Sequence, residues 1–226
     1  MQLFSYKMTH DTGFAPNPFG YTLTLATCEP MIRSVKHEGQ WIAGFTSVAL
    51  TGDCVGEERL VYLMRIGEKR HLRDYFNDPR FQDKIPDMQM PEPEPVSKAG
   101  DNIYRPLVSG ASEFSHFEQL KNPNHWTASG PSEFDLKRDI SGQYTLVADT
   151  FYYFGARAIS IPVQCRPWLP KGQSAHGRLT PPEQAARFIQ YVKERYQPGR
   201  HSNPTDWPED EVLNKTPCGG RRCGSS

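Results

Sequence analysis

Four stretches of the chain carry the apolar patterning of β-strands: "LFSYKMT" (3–9), "QWIAGFTSVAL" (40–50), "RLVYLMRI" (59–66) and "SGQYTLVADTFYYFG" (141–155). The polar "TGDCVGEE" joins the second and third as a hairpin-like connection, so these two are expected to run antiparallel. One stretch has a clear helical period. In "TPPEQAARFIQYVKERYQPG" (180–199), Phe188, Ile189, Val192 and Tyr196 form a single stripe and Gly199 ends it. Thr180 is the expected cap there, with Pro181 in the first turn and Glu183 completing a capping box. "HLRDYFNDPRF" (71–81) predicts a short helix that stops before Pro79. "TLATCEPMIRSV" (24–35) is open between a short helix starting at Pro30 and an extended crossing.

The segments between these elements are long. "DTGFAPNPFGYT" (11–22) reads as an irregular loop, and the proline-rich, acidic 84–100 as a mobile surface loop. Residues 101–134 show no sustained period, an unusual length of loop unless it serves a purpose. Strands outnumber helices and there are no internal repeats. The expected fold is α+β: a small, partly open mixed or antiparallel β-barrel of PUA-like type, with peripheral helices and long loops. One domain over 1–199 and a polar, weakly ordered tail over 200–226 follow from this reading.

Composition narrows the function classes. The 26 basic and 26 acidic side chains cancel, so a discriminating local contact is favoured over a broad electrostatic grip on nucleic acid. The five cysteines are scattered without CxxC or zinc-finger spacing and read as reduced thiols. No apolar run reaches membrane-spanning or signal-peptide length, so a cytoplasmic protein without membrane contact is expected.

The familiar catalytic motifs are missing: no GxxxxGK[ST], GxGxxG or GxSxG, no histidine pair at i,i+4, and no zinc-deaminase signature. No cofactor and no metal are expected. His116 and His125, nine residues apart, are too ordinary a spacing to imply a ligand pair. Cys28 followed by Glu29 is compatible with an activated thiol but reads first as a buried structural cysteine.

The binding candidates are polar and aromatic groups on loops and strand ends. In "APNPF" (15–19), two prolines hold the Asn17 amide, which could read a base edge or close a turn on its own backbone. "GQWIAGFTS" (39–47) offers Trp41 as core or stacking platform and Ser47 as a polar contact, and its Gly44 marks a bend or a close approach. In "DNIYRP" (101–106), Asn102 could bond a heterocycle while Tyr104 stacks, or the group could clasp a loop. In "DLKRD" (135–139), Lys137 and Arg138 make a solvated charged turn or a phosphate contact. Within "DTFYYFG" (149–155), simple alternation puts Tyr152 and Phe154 on one face with Leu146 and Ala148, and Asp149, Phe151 and Tyr153 on the other. Tyr152 and Tyr153 are the two rings retained as site candidates.

The strings "FSYKMTHDTGFAPNPF", "TLATCEPMIR", "WIAGFTS", "LVYLMRI", "DYFNDPRF", "DNIY" and "LKRDISGQYTLVADTFYYFG" together resemble the nucleotide modification associated domain 2 family over roughly residues 3–162. That resemblance implies a bacterial or phage protein tied to DNA base modification, with DNA-modification enzymes as possible partners. The strand order also looks like PUA-type barrels such as the EVE, ASCH and YTH domains, although Gln40 stands where an acidic residue is common. The leading expectation is a module that binds a nucleobase, a modified one in nucleic acid or a nucleotide, in an aromatic-walled pocket. The alternative is an enzyme acting on nucleotides or modified bases through Asp101, Asp139 and Asp149.

Overall fold

A computed structural model describes residues 1–89 and 94–208. One sheet organises it, built from β1 (Leu3–Lys7), β2 (Thr24–Leu25), β3 (Trp41–Phe45), β4 (Leu60–His71), β5 (Tyr144–Tyr153), β6 (Arg178–Thr180) and β7 (Gly199–Arg200). The strands lie in the order β6-β1-β3-β4-β5-β7, and β2 pairs with the first half of β5. The β3–β4 pair is antiparallel, as the hairpin-like connection implies, whereas β1 runs parallel to β3 and β7 parallel to β5. The α+β class is therefore observed, but as an open mixed sheet. No closed barrel is found among the described residues.

Both faces of the sheet are buried, which is why β3 and the first half of β4 are nearly continuous apolar runs. On one face α3 (Pro182–Arg195) lays Phe188, Ile189 and Val192 against Leu3, Trp41, Phe45 and Tyr152. The other face packs Tyr6, Ile42, Tyr62, Met64 and Tyr153. A third cluster, around Phe14, Tyr75, Phe81 and Tyr104, fills the space under the long loops. Gly44 answers its close-approach reading: a Cβ there would lie 2.6 Å from both Met8 Sδ and Tyr62 Cδ1.

Several expectations are corrected. The α3 cap is Pro181, which makes no side-chain cap bond, and Thr180 instead accepts from the Trp168 N–H at 3.2 Å. The expected charged turn at 135–139 belongs to a helix, α2 (Glu133–Ser141), capped by Ser132 Oγ accepting from Asp135 N–H. In 24–35 the helical alternative is realised as α1 (Pro30–Val35), with proline in its first turn. Strand 40–50 stops at Phe45, because Ser47 caps a helical turn over Val48–Thr51.

Simple alternation also fails in the aromatic strand. Arg65 pairs with Thr150 but Ile66 with Ala148, leaving Asp149 as an extra residue in a bulge. Beyond it the side-chain phase inverts, so Leu146, Ala148, Phe151 and Tyr153 share one face while Tyr152 and Phe154 face α3. Gly67 sits opposite, where a Cβ would approach Asp149 Cβ at 2.5 Å.

The chain beyond 199 is not all tail. β7 pairs with Tyr152 and Tyr153, Trp207 is buried, and Asp11 accepts from the Thr205 N–H and hydroxyl. The rest of the expected tail, from 209 onward, lies outside the described residues, as does 90–93 of the expected mobile loop. The ends of that loop are anchored, with Lys84 and Ala99 buried. Of the five cysteines expected as reduced thiols, Cys28 and Cys165 are free, and Cys218 and Cys223 lie outside the described residues. No helix of the described residues is long and apolar enough to cross a membrane.

Candidate functional site

The turn between β2 and α1 is the unusual piece of backbone. Cys28 and Glu29 are consecutive non-glycine residues with positive φ, at 52° and 40°. Left-handed backbone in such residues costs of the order of 1–3 kcal/mol each, so the surroundings must impose it. They do. The Cys28 N–H donates to Asp139 Oδ1 at 2.9 Å, and Arg33 Nε donates to the Cys28 carbonyl at 2.7 Å. Arg33, fully buried, also donates to the carbonyls of Tyr144 and Asp139 at 2.7 Å, tying α1, α2 and β5 around this turn.

The strained turn forms one wall of a cavity of about 610 Å³. β1 and the loop after it supply Tyr6, Met8 and Phe14, and α2 and the preceding loop supply Arg138, Asp135 and His125. Cys28 and Glu29 face this space together with both an aromatic and a charged wall. That volume falls in the range of about 300–1,000 Å³ typical of small-molecule sites.

His125 lies at the centre of the polar wall. Its Nε2 is 3.6 Å from Cys28 Sγ and 3.2 Å from Arg138 Nη2. Its Nδ1 is 3.3 Å from both the Tyr104 hydroxyl and Asp139 Oδ2. Because a guanidinium only donates, Nε2 must offer its lone pair; because a carboxylate only accepts, Nδ1 must carry the proton. Tyr104 in turn donates to Asp139 Oδ2 at 2.9 Å, so its oxygen is free to accept from Nδ1. The tautomer is thus the one whose Nε2 lone pair, engaged by Arg138 Nη2, lies on the side of the thiol. Phe14 holds the ring edge-on, with centroids 4.7 Å apart.

Burial dominates the protonation states. It raises the Cys28 thiol to about 12, reinforced by Asp139 and opposed by Arg138 and Arg33. It raises Glu29 to about 7 against the pull of the same two arginines. It pushes His125 down, opposed by Asp139 and Asp135. Burial also disfavours the Arg138 charge, yet Asp139, Cys28 and Asp135 hold that guanidinium above its ordinary value. Near neutral pH the wall therefore presents a neutral thiol, a neutral imidazole, a carboxyl at its midpoint and a fixed cation.

Among the sequence-predicted site residues, Arg138 lines this cavity and Tyr104 supports it through His125. The others lie elsewhere. The Asn17 amide is buried, donating to the Ala99 carbonyl at 2.7 Å and accepting from Phe19 N–H and Lys84 Nζ. Asn102 is buried and donates to the Phe81 carbonyl at 3.1 Å. Ser47 donates to the Met8 carbonyl at 2.7 Å, behind the cavity wall. Trp41 and Tyr152 are packed under α3, and Tyr153 is buried with its hydroxyl 2.5 Å from Asp11 Oδ1. Lys137 is exposed and paired with Glu133.

The three aspartates of the enzyme alternative keep separate partners: Asp101 with Thr24 and Tyr75, Asp139 with Arg33 and Cys28, Asp149 with Arg65 at the surface. No metal-binding group of three or more His, Cys, Asp or Glu occurs among the described residues. Sequence reasoning met Cys28 and His125 singly and missed their pairing. The "CEP" turn and the isolated His125 carried no shared spacing that could have joined them.

A family model described as nucleotide modification associated domain 2 matches residues 1–211, well beyond the stretch in which the motifs are visible by eye. No curated protein and no solved structure matches the chain.

Proposed function

The chain belongs to the nucleotide modification associated domain 2 family, and on that premise we propose that it binds a nucleobase, carried on a nucleotide or a nucleic-acid strand, in the cavity beside Cys28 and Arg138. One observation carries this reading: a space of about 610 Å³ is lined by aromatic rings, a fixed cation and a titrating carboxyl. These are the three groups that a nucleotide needs. Tyr6 and Phe14 supply apolar ring contact for a base, Arg138 a phosphate contact, and Glu29 a hydrogen bond to a polar base edge. Stacking is worth about 1–3 kcal/mol per base, so the phosphate contact is expected to contribute a comparable share. The rings of this reading are Tyr6 of β1 and Phe14 of the first loop, core residues that also line the cavity, whereas Trp41, Tyr152 and Tyr153 do not line it. The family name favours a modified base as the ligand.

The test is an equilibrium binding panel of nucleosides, deoxynucleoside monophosphates and short oligonucleotides, each with and without base modifications, against the wild-type protein and Arg138→Gln. Monophosphates are expected to bind the variant at least about tenfold more weakly, with nucleosides little changed, since a charged hydrogen bond is worth about 1.5–3 kcal/mol. Equal, weak binding of every ligand by both proteins would overturn the reading.

A further inference from the structure

We propose that Cys28 is a nucleophile, deprotonated by His125, that adds to a carbonyl-activated carbon of the nucleotide bound in this cavity. The proposal rests on the nucleotide-binding reading for its substrate class and goes beyond it in assigning a reaction. Three independent features carry it. The Sγ of Cys28 lies 3.6 Å from Nε2 of His125, within the looser range of nucleophile–base pairs in unliganded sites. The other ring nitrogen faces Tyr104 and Asp139, so the imidazole is held in the tautomer whose Nε2 can take the thiol proton once Arg138 Nη2, 3.2 Å from Nε2, turns to the developing thiolate. The thiol sits on two consecutive left-handed residues that open onto the cavity, and backbone strain of this kind clusters at sites of function.

The step balances within the site. The Sγ–H proton passes to His125 Nε2 as the sulfur–carbon bond forms. The π electrons of the carbonyl, or of the double bond conjugated with it, move onto the carbonyl oxygen, which takes a proton from the Glu29 carboxyl. The products are a neutral covalent adduct, a His125 imidazolium beside Asp139 and a Glu29 carboxylate beside Arg138. Arg138 Nη2, 3.7 Å from the sulfur, stabilises the thiolate as it develops. The resting thiol is neutral, its pKa near 12, so the base has to act during the attack and no standing ion pair is required. Glu29, midway through its titration near neutral pH, can both give and take back its proton.

Iodoacetamide tests the nucleophile without a nucleotide, because its alkylation consumes the same Sγ–H proton and releases iodide. Peptide mass spectrometry follows Cys28, with the free Cys165 as the internal standard. In the wild-type protein the Cys28 rate is expected to level off between about pH 7 and pH 9, once the imidazole is neutral. In His125→Gln it should fall at least about tenfold at pH 7 and rise about tenfold per pH unit, because only the rare thiolate then reacts. Tyr104→Phe, which keeps the imidazole, should retain the level profile at reduced height. Unchanged Cys165 rates show that the variants are folded. Identical Cys28 profiles in the wild-type and His125→Gln proteins, or a silent Cys28 beside a reactive Cys165, would overturn the nucleophile. Bound deoxynucleoside monophosphate should protect Cys28. Protection without dependence on His125 overturns the nucleophile and leaves the binding site standing; dependence on His125 without protection by any nucleotide overturns the substrate assignment and the binding reading.

Discussion

Replacing Glu29 by Gln isolates the least comfortable charge in the cavity wall. Burial moves this carboxyl from its ordinary 4.5 to about 7, with Arg33 and Arg138 offsetting only part of the penalty. Between those two values the folded protein holds a proton that the unfolded chain has lost, so stability falls as pH rises through the window. At about 1.4 kcal/mol per tenfold change, the full displacement is worth about 3 kcal/mol, absent below pH 4.5 and complete above pH 7. Glutamine has the same shape and cannot ionise, so it escapes the penalty. The variant and the wild-type protein should therefore be equally stable near pH 4, and the variant about 3 kcal/mol more stable at pH 8. For a chain of this size that amounts to a thermal midpoint about 6–12 °C higher. Asp11 and Asp101 are also raised by burial and titrate in the same direction, but they are common to both proteins and cancel in the comparison. Urea unfolding at several pH values gives the difference directly. A stability difference independent of pH, or a variant less stable than wild type at pH 8, would refute the assignment of a buried, half-protonated Glu29.

Two further expectations concern the frame that holds the site. Gly44→Ala would drive a Cβ into Met8 Sδ and the Tyr62 ring, and should cost about 1–3 kcal/mol in urea unfolding, since neither β3 nor β4 can shift within a two-sided core. Tyr153→Phe removes the phenol that donates to buried Asp11, leaving its carboxylate to the Thr205 N–H and hydroxyl; a loss of about 1–3 kcal/mol is expected, smaller at low pH where Asp11 is protonated.

The strands and the amphipathic α3 were legible because each is a local pattern. Alternation in "LFSYK" and a 3.6-residue stripe at Phe188, Ile189 and Val192 need no knowledge of the rest of the chain. The reading of Gly44 as a close approach succeeded for the same reason, since a glycine amid β-formers is itself a signal. Where the reading failed, a long-range partner had overruled the local pattern. A bulge at Asp149, set by pairing with β4, inverted the side-chain phase that the alternation of 141–155 implies. The turn expected at 135–139 is a helix because Ser132 caps it and Ile140 reaches the core.

By itself the sequence determined the four longer strands of the sheet and α3, the lack of the familiar catalytic motifs and the family to which the chain belongs. Tertiary structure alone decided the site. Cys28 and His125 are 97 residues apart, and Asp139 reaches the Cys28 backbone across 111. No period or spacing links such positions, because they are joined by the buried hydrogen bonds of Arg33 and Asp139 between α1, α2 and β5. That arrangement exists only once the chain has folded.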